Sequence, residues 1–393
     1  MINEKMYQLG STRSKIRELF EYGKVLAEKI GSENVFDYTL GNPSVPCPQE
    51  VTDTISNEVK NPSIHGYTQA QGSLLARKAI SDYNLKRYGF KLDENLTYLT
   101  CGAAAGLAIT LRAIISSNSD KVLTFAPFFP EYKVFTENAG GSLIFAGCNE
   151  DFDIDLSSFE SALTSDVQAI IINSPNNPSG TVYSEQTIVK LAEILNKKQV
   201  EFNHAIYLIV DEPYREILFD GAVCPFIPNY YDNTIICYSY SKALSIPGER
   251  IGYVSVSPKA TESTKLYLAI AGAGRSMGYV CAPALFQKVI ELCIDKTSDC
   301  SVYKDNRDIL VSMLNDFGFK CNNPKGAFYV FMKSPIPNAE EFCDVCKTYG
   351  VLLVPSNSFG INGYVRLATC VSTDLIKRSK PAFEKIAKHF NLI

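Results

Sequence analysis

Four kinds of side chain suited to acid–base work or anion binding stand at the ends of successive apolar runs in this chain. The run Ile206 to Val210 stops at Asp211-Glu212-Pro213-Tyr214, and Thr234 to Tyr238 stops at Ser239-Tyr240-Ser241-Lys242, with Arg250 eight residues on. A carboxylate, a phenol, a lysine and an arginine are therefore expected on one edge, because open α/β sheets gather their ligand sites at the carboxyl ends of the strands. Upstream, Thr100-Cys101-Gly102-Ala103-Ala104 ends a run and opens a helical stretch. Free N–H groups and the helix dipole favour an anion such as phosphate there. Asn173-Ser174-Pro175-Asn176-Asn177-Pro178-Ser179-Gly180 closes a further run with a polar turn. Each feature alone has an ordinary explanation, since an Asp after a strand caps helices and Asn-Pro pairs make turns. Their joint occurrence in this order is what carries information.

The elements that must position these residues follow from the alternation of the sequence. From about residue 97 to 256, short β-branched or aromatic runs alternate with longer stretches of helical period, the pattern of a mainly parallel sheet covered by helices. The expected strands are Thr97 to Thr100, Lys121 to Phe125, Ser142 to Ala146, Ala169 to Asn173, Ile206 to Val210, Thr234 to Tyr238 and Ile251 to Val256. Helices such as Ala103 to Ile115 and Ser184 to Asn196 fall between them. After about residue 285 a long helical stretch leads to Gly326-Ala327-Phe328-Tyr329-Val330-Phe331, then Val351 to Val354 and Tyr364 to Leu367, which predicts a smaller α+β domain. The expected division is a large α/β domain over residues 41–285 and a small domain from residues 1–40 and 286–393.

Bulk composition removes several function classes. With 393 residues, 46% hydrophobic and 20% charged, and a net charge of -4, the chain can bury a large interior and has no basic character for a nucleic acid partner. Its apolar runs are strand length, far short of the roughly 20 residues of a membrane helix. The charged N-terminal stretch reads as neither signal peptide nor anchor, so a cytoplasmic protein is expected. Twelve cysteines without a framework fit small buried hydrophobes in a reducing compartment. Cys343-Asp344-Val345-Cys346 has zinc-ligand spacing, but no second pair and only three histidines accompany it, so core packing is expected and no metal.

Asn177-Pro178-x-Gly180, Asp211-x-x-Tyr214, Ser239-x-Ser241-Lys242 and Arg250-x-Gly252 together resemble the class I/II aminotransferases, which are fold type I enzymes dependent on pyridoxal 5'-phosphate (PLP). The resemblance extends from Leu40-Gly41-Asn42-Pro43 to Gly363-Tyr364-Val365-Arg366-Leu367 and is nearest to the aspartate aminotransferases. It implies a large domain with a mainly parallel seven-stranded sheet plus a smaller α+β domain. It also implies that Lys242 holds PLP as a Schiff base and moves the substrate proton. Asp211 would pair with the pyridinium nitrogen, and Tyr214 and Asn177 with the ring oxygen. Arg250, Ser239, Ser241 and the backbone of Gly102, Ala103 and Ala104 would hold the phosphate. Phe129 would stack on the ring, with neighbouring Phe128 the other candidate.

For the substrate, the resemblance assigns the α-carboxylate to Arg366, whose planar fork suits two parallel hydrogen bonds, with Gly41 and Asn177 beside it. Tyr67, in His65-Gly66-Tyr67-Thr68, corresponds to a tyrosine that reaches the phosphate of a neighbouring subunit, implying a homodimer. Arg275 is a candidate reader of a distal carboxylate, as in members specific for aspartate; an ordinary interface or surface arginine is the other reading. One departure concerns the substrate pocket wall. The family loop Pro-Gly-x-x-Phe-Gly is here Pro355-Ser356-Asn357-Ser358-Phe359-Gly360.

The same residues allow other readings. Ser239-x-x-Lys242 has the spacing of serine β-lactamases, but their Ser-Asp-Asn and Lys-Thr-Gly elements are absent. A transcription regulator with a degenerate domain of this kind would need a DNA-binding module. The expectation is therefore an aminotransferase carrying nitrogen from an L-amino acid, with aspartate or another acidic donor in view, to a 2-oxo acid. A PLP-dependent β-lyase, such as a C–S lyase, is the alternative from the same cofactor.

Overall fold

The computed structural model describes residues 2–11 and 15–393. Two compact units emerge. The larger comprises Val45–Cys300 with Lys325–Ala327, and the smaller the described residues up to Ser44, Ser301–Pro324 and Phe328–Ile393. The expected limit at residue 285 falls inside the helix Ala284–Cys293, which belongs to the larger unit.

The larger unit is built on a seven-stranded sheet. Across it the strands run Thr97–Thr100, Gly252–Val256, Thr234–Ser239, Tyr207–Glu212, Val167–Asn173, Lys121–Phe125 and Ser142–Ala146. All are parallel except Gly252–Val256, which is antiparallel to both neighbours. The reason is the short return after Ser239. Residues 240–251 hold only the helix Tyr240–Ala243 and a 3-10 turn, Pro247–Glu249, too little for the crossover helix that a parallel strand requires. Thr100 and Ser239 are thereby both registered against Gly252.

Helices cover both faces of this sheet, as the unbroken apolar runs require. In Val167–Asn173, Ile170 and Ile172 face one layer and Ala169 and Ile171 the other, and none is more than 1% exposed. The helix Glu185–Phe202 shows why such segments fold locally. Ser184 Oγ accepts from Thr187 N–H at 3.1 Å to cap it, Ile188, Leu191, Ala192 and Leu195 form one buried stripe, and Asn203 ends it at φ 57°.

The smaller unit contains a four-stranded antiparallel sheet ordered Val354–Pro355, Tyr364–Ala368, Tyr329–Lys333 and Lys320–Cys321. Phe36–Asp37 pairs in parallel with Val351–Leu352. Its core includes Tyr38, Leu310, Phe342, Val365 and Phe383, together with Cys343 and Cys346. Burial pushes the Cys343 thiol up to about 12 and Cys346 well above the usual thiol range, so both act as small apolar side chains. Among the described residues no helix is long and apolar enough to cross a membrane.

Candidate active site

The larger unit gathers most of the expected residues at one edge of its sheet. Ser239 caps the short helix Tyr240–Ala243, accepting from Ser241 N–H at 3.2 Å and donating to Ser241 Oγ at 2.8 Å. Arg250 reaches the same serine with Nη1 at 3.4 Å and donates from Nη2 to Cys101 O at 3.2 Å. Arg250 precedes its strand, yet lands here because that strand runs antiparallel. Gly252 permits the approach, since a Cβ there would lie 2.2 Å from Tyr238 O and 3.0 Å from Gly102 Cα. Gly102 is the N-cap of Ala103–Ile114 and offers no side chain to its first N–H groups. A helix N-terminus, two serine hydroxyls and a guanidinium thus converge on one spot, a combination of donors suited to an anion such as phosphate. Lys242, half-buried, is the next residue after Ser241.

Asp211 ends the strand Tyr207–Glu212 and is 5% exposed. Its Oδ2 accepts from Tyr132 Oη at 2.6 Å, while Oδ1 is buried without a partner among the described residues. Burial raises its carboxyl to about 7, against the lowering effect of the Tyr132 hydrogen bond. Burial also lifts the Tyr132 phenol well above its usual range, so it remains the donor.

Asn173 ties the neighbouring strand end to this one. Its Nδ2 donates to Asp211 O at 2.8 Å, and its Oδ1 accepts from Asn177 N–H at 2.7 Å. Asn176 fastens the turn further, donating to Pro127 O at 3.3 Å. The segment Pro127–Pro130 is thereby held beside the Asn177 turn. Phe128 is buried in a core cluster, with its ring 5.5 Å from that of exposed Phe145, whereas Phe129 stays half-buried with its ring centroid 5.7 Å from that of Tyr132. That placement favours Phe129 over Phe128 as the stacking ring. Tyr214 and Asn177 are buried, 5% and 6% exposed.

Gly41 and Arg366 belong to the smaller unit, where Tyr329 joins them. A Cβ on Gly41 would sit 1.9 Å from Tyr329 Oη, and the Arg366 guanidinium lies over the Tyr329 ring at 4.5 Å. Arg366, 2% exposed, also donates to Thr39 O at 2.6 Å and approaches Phe359 at 5.4 Å. Phe359 and its loop thus wall this arginine despite the Ser356 departure.

Two expected residues lie apart from these contacts. Tyr67 is 99% exposed, and Arg275 is exposed in the last turn of Ser263–Ser276. Sequence reasoning left Tyr132, Asn173 and Tyr329 outside the candidate site. Asn173 opens the polar turn already singled out and Tyr132 lies three residues after Phe129, but only the sheet register reveals what they touch.

A doubly covered, mainly parallel sheet with a lysine, a buried open carboxylate and an anion cup at one edge defines a fold type I PLP site. The residues fit that cofactor: the cup suits its phosphate, and Asp211 Oδ1 suits a protonated ring nitrogen. The aminotransferase class I and II family matches residues 33–379, and the chain belongs to that family. An amino transferase from Eubacterium rectale superposes with a TM-score of 0.97 at 50% identity, covering 100% of this chain and 99% of that one. A probable aspartate aminotransferase of Methanocaldococcus jannaschii is 28% identical over 95% of this chain and 96% of its own. An LL-diaminopimelate aminotransferase of Nitratidesulfovibrio vulgaris is 28% identical over 88% and 90%. The protein is thus a PLP-dependent aminotransferase.

Proposed function

We propose that this aminotransferase moves the amino group of an acidic L-amino acid to a 2-oxo acid, with Lys242 as the residue that binds PLP covalently. The observation that carries this reading is the open, buried Asp211 Oδ1 on the same sheet edge as Lys242 and the Ser239–Ser241–Arg250 cup. When bound, the pyridoxal ring supplies a sink for the negative charge left on the substrate carbon. Asp211 Oδ1 would accept the ring N–H and keep that proton in place, while Tyr132 fixes the carboxylate from the other side. Lys242 Nζ carries the proton to and from the substrate α-carbon. Tyr214 and Asn177 would hydrogen-bond the ring oxygen, Phe129 would cover the ring, and Gly102, Ala103 and Ala104 would present N–H groups to the phosphate.

Arg366 takes the substrate α-carboxylate and Gly41 leaves room beside it. Arg275 reads the distal carboxylate, a role supported by its exposure and by the relative named for aspartate. The working unit is a homodimer in the cytoplasm, with the projecting Tyr67 reaching the partner's phosphate; its 99% exposure in one chain supports this.

Borohydride treatment of the holoenzyme followed by peptide mapping tests the assignment. The cofactor should be fixed to Lys242; a label on another lysine, or normal turnover by Lys242→Ala, overturns it. Product analysis with aspartate and a 2-oxo acid should give a new amino acid. Release of a thiol, ammonia and pyruvate from a cysteine S-conjugate would mark a β-lyase instead.

A further inference from the structure

A second cleft in the larger unit takes no part in the site described above. Its volume is about 970 Å³, within the size range of small-molecule pockets, and its walls include Tyr83, Tyr88, Arg215, Glu216 and Ile294. Those five residues also line an inner chamber of about 10 Å³, closed by Tyr238, Tyr240 and Tyr253. That is the room of a single water-sized group.

Two of the residues lining the chamber carry buried oxygens without partners among the described residues, Glu216 Oε2 and Tyr240 Oη. Glu216 Oε1 is already engaged, accepting from Tyr238 Oη at 2.7 Å. Tyr240 is 3% exposed, and its ring packs 4.8 Å from that of Tyr238. Of the cations lining the cleft, Lys86 and Arg87 are exposed toward solvent and Arg215 is committed elsewhere. It pairs with Glu212, donating from Nε to Oε2 at 2.8 Å, and reaches Cys224 O and Pro225 O at 3.2 and 3.1 Å. Its charge is therefore balanced without Glu216.

We propose that this cleft binds a primary alkylammonium ligand, with the ammonium in the inner chamber against Glu216 and Tyr240 and the alkyl chain along Tyr83, Tyr88 and Ile294. The size of the chamber selects the head group. An ammonium is one heavy atom with three donors, and it meets a carboxylate oxygen, a phenol oxygen and tyrosine rings that attract cations. A planar guanidinium or a trimethylated nitrogen exceeds that space. A single water also fits but brings no charge. Burial holds the Glu216 carboxyl up near 7 despite the Tyr238 hydrogen bond and nearby Arg215, which leaves a counter-charge for a cation to supply. Tyr240 lies between Ser239 and Ser241 in sequence, so the second site shares its short helix with the cofactor-binding turn.

The test uses holoenzyme reduced with borohydride, so that an added amine cannot react with the cofactor, and calorimetric titration with n-butylamine. A single saturable site per chain is expected, weakened about 10-fold or more by Glu216→Gln and by Tyr240→Phe, as for loss of a charged hydrogen bond. Butyltrimethylammonium should not compete. Absence of saturable binding to the wild type overturns the proposal, as does unchanged affinity in the variants or a water left in the chamber of butylamine-soaked crystals. If Glu216→Gln does not fold, Tyr240→Phe keeps the ring and carries the comparison alone. Labelling at Lys242 is scored in the same reduced sample, so failure of the PLP assignment is read separately from failure of this one.

Discussion

Replacing Asp211 by asparagine should stabilise the cofactor-free protein at alkaline pH while crippling the loaded enzyme. The buried carboxyl titrates near 7 rather than at its ordinary 3.8, and an interval of that size corresponds to ~4 kcal/mol against the ionised form. Because the folded value is raised, the stabilising contribution is fully present below pH 3.8 and is lost as pH rises through 7. At pH 8 the wild type carries the whole penalty and the amide carries none of it. The amide oxygen would still accept from Tyr132, but the NH₂ would occupy the open side, a buried unsatisfied donor costing about 1–3 kcal/mol. The net gain is therefore about 1–3 kcal/mol at pH 8, or roughly 1–4 °C in Tm for a chain of this length. Below pH 4 the gain should vanish and reverse, since the neutral acid costs nothing and the amide still does. Glu216, which also titrates near 7, is common to both proteins and cancels in the difference. Thermal unfolding of both apoproteins from pH 4 to 8 reads the effect. A variant less stable than the wild type at pH 8, or a difference independent of pH, would contradict a burial penalty on the ionised Asp211 carboxylate. In the loaded enzyme, kcat should fall by about 10- to 150-fold or more, because the amide cannot keep the ring nitrogen protonated.

Tyr132→Phe removes the donor to Asp211 Oδ2, so the Asp211 carboxyl should titrate higher still. Its kcat should drop about 10-fold or more with the acid limb of the pH–rate profile moved up; an unmoved profile contradicts the role. In Gly41→Ala the new Cβ would stand 1.9 Å from Tyr329 Oη, displacing the ring beneath Arg366. Steady-state kinetics should show KM up about 10-fold with kcat little changed, whereas equal falls in kcat and kcat/KM would place the damage in the chemical step. Arg275→Ala should lower kcat/KM for aspartate and glutamate by about 10- to 150-fold and spare alanine. Equal losses on all three, or none, would remove Arg275 from the substrate site.

The strands and the order of the motifs were legible in the sequence for a direct physical reason. Strands covered on both faces must be apolar throughout, so Ala169 to Ile172 and Ile206 to Val210 stand out, and polar residues appear where each strand leaves the core. Lys242, Asp211 and Asn177 stand at such exits, and it was their joint order, with the family resemblance, that picked them out. Arg250 is different: it comes before its strand, and only the antiparallel course of Gly252–Val256 turns it to the edge where the other strands end. Tyr132 meets Asp211 across 79 residues, and Asn173 bridges two strand ends, contacts that depend on strand order and register rather than on local periodicity. Tyr329 joins Gly41 to Arg366 through pairing between distant strands. Local chemistry is written in spacing, but hydrogen bonds between strand ends exist only once the sheet has chosen its neighbours, and that choice rests on the packing of the whole core.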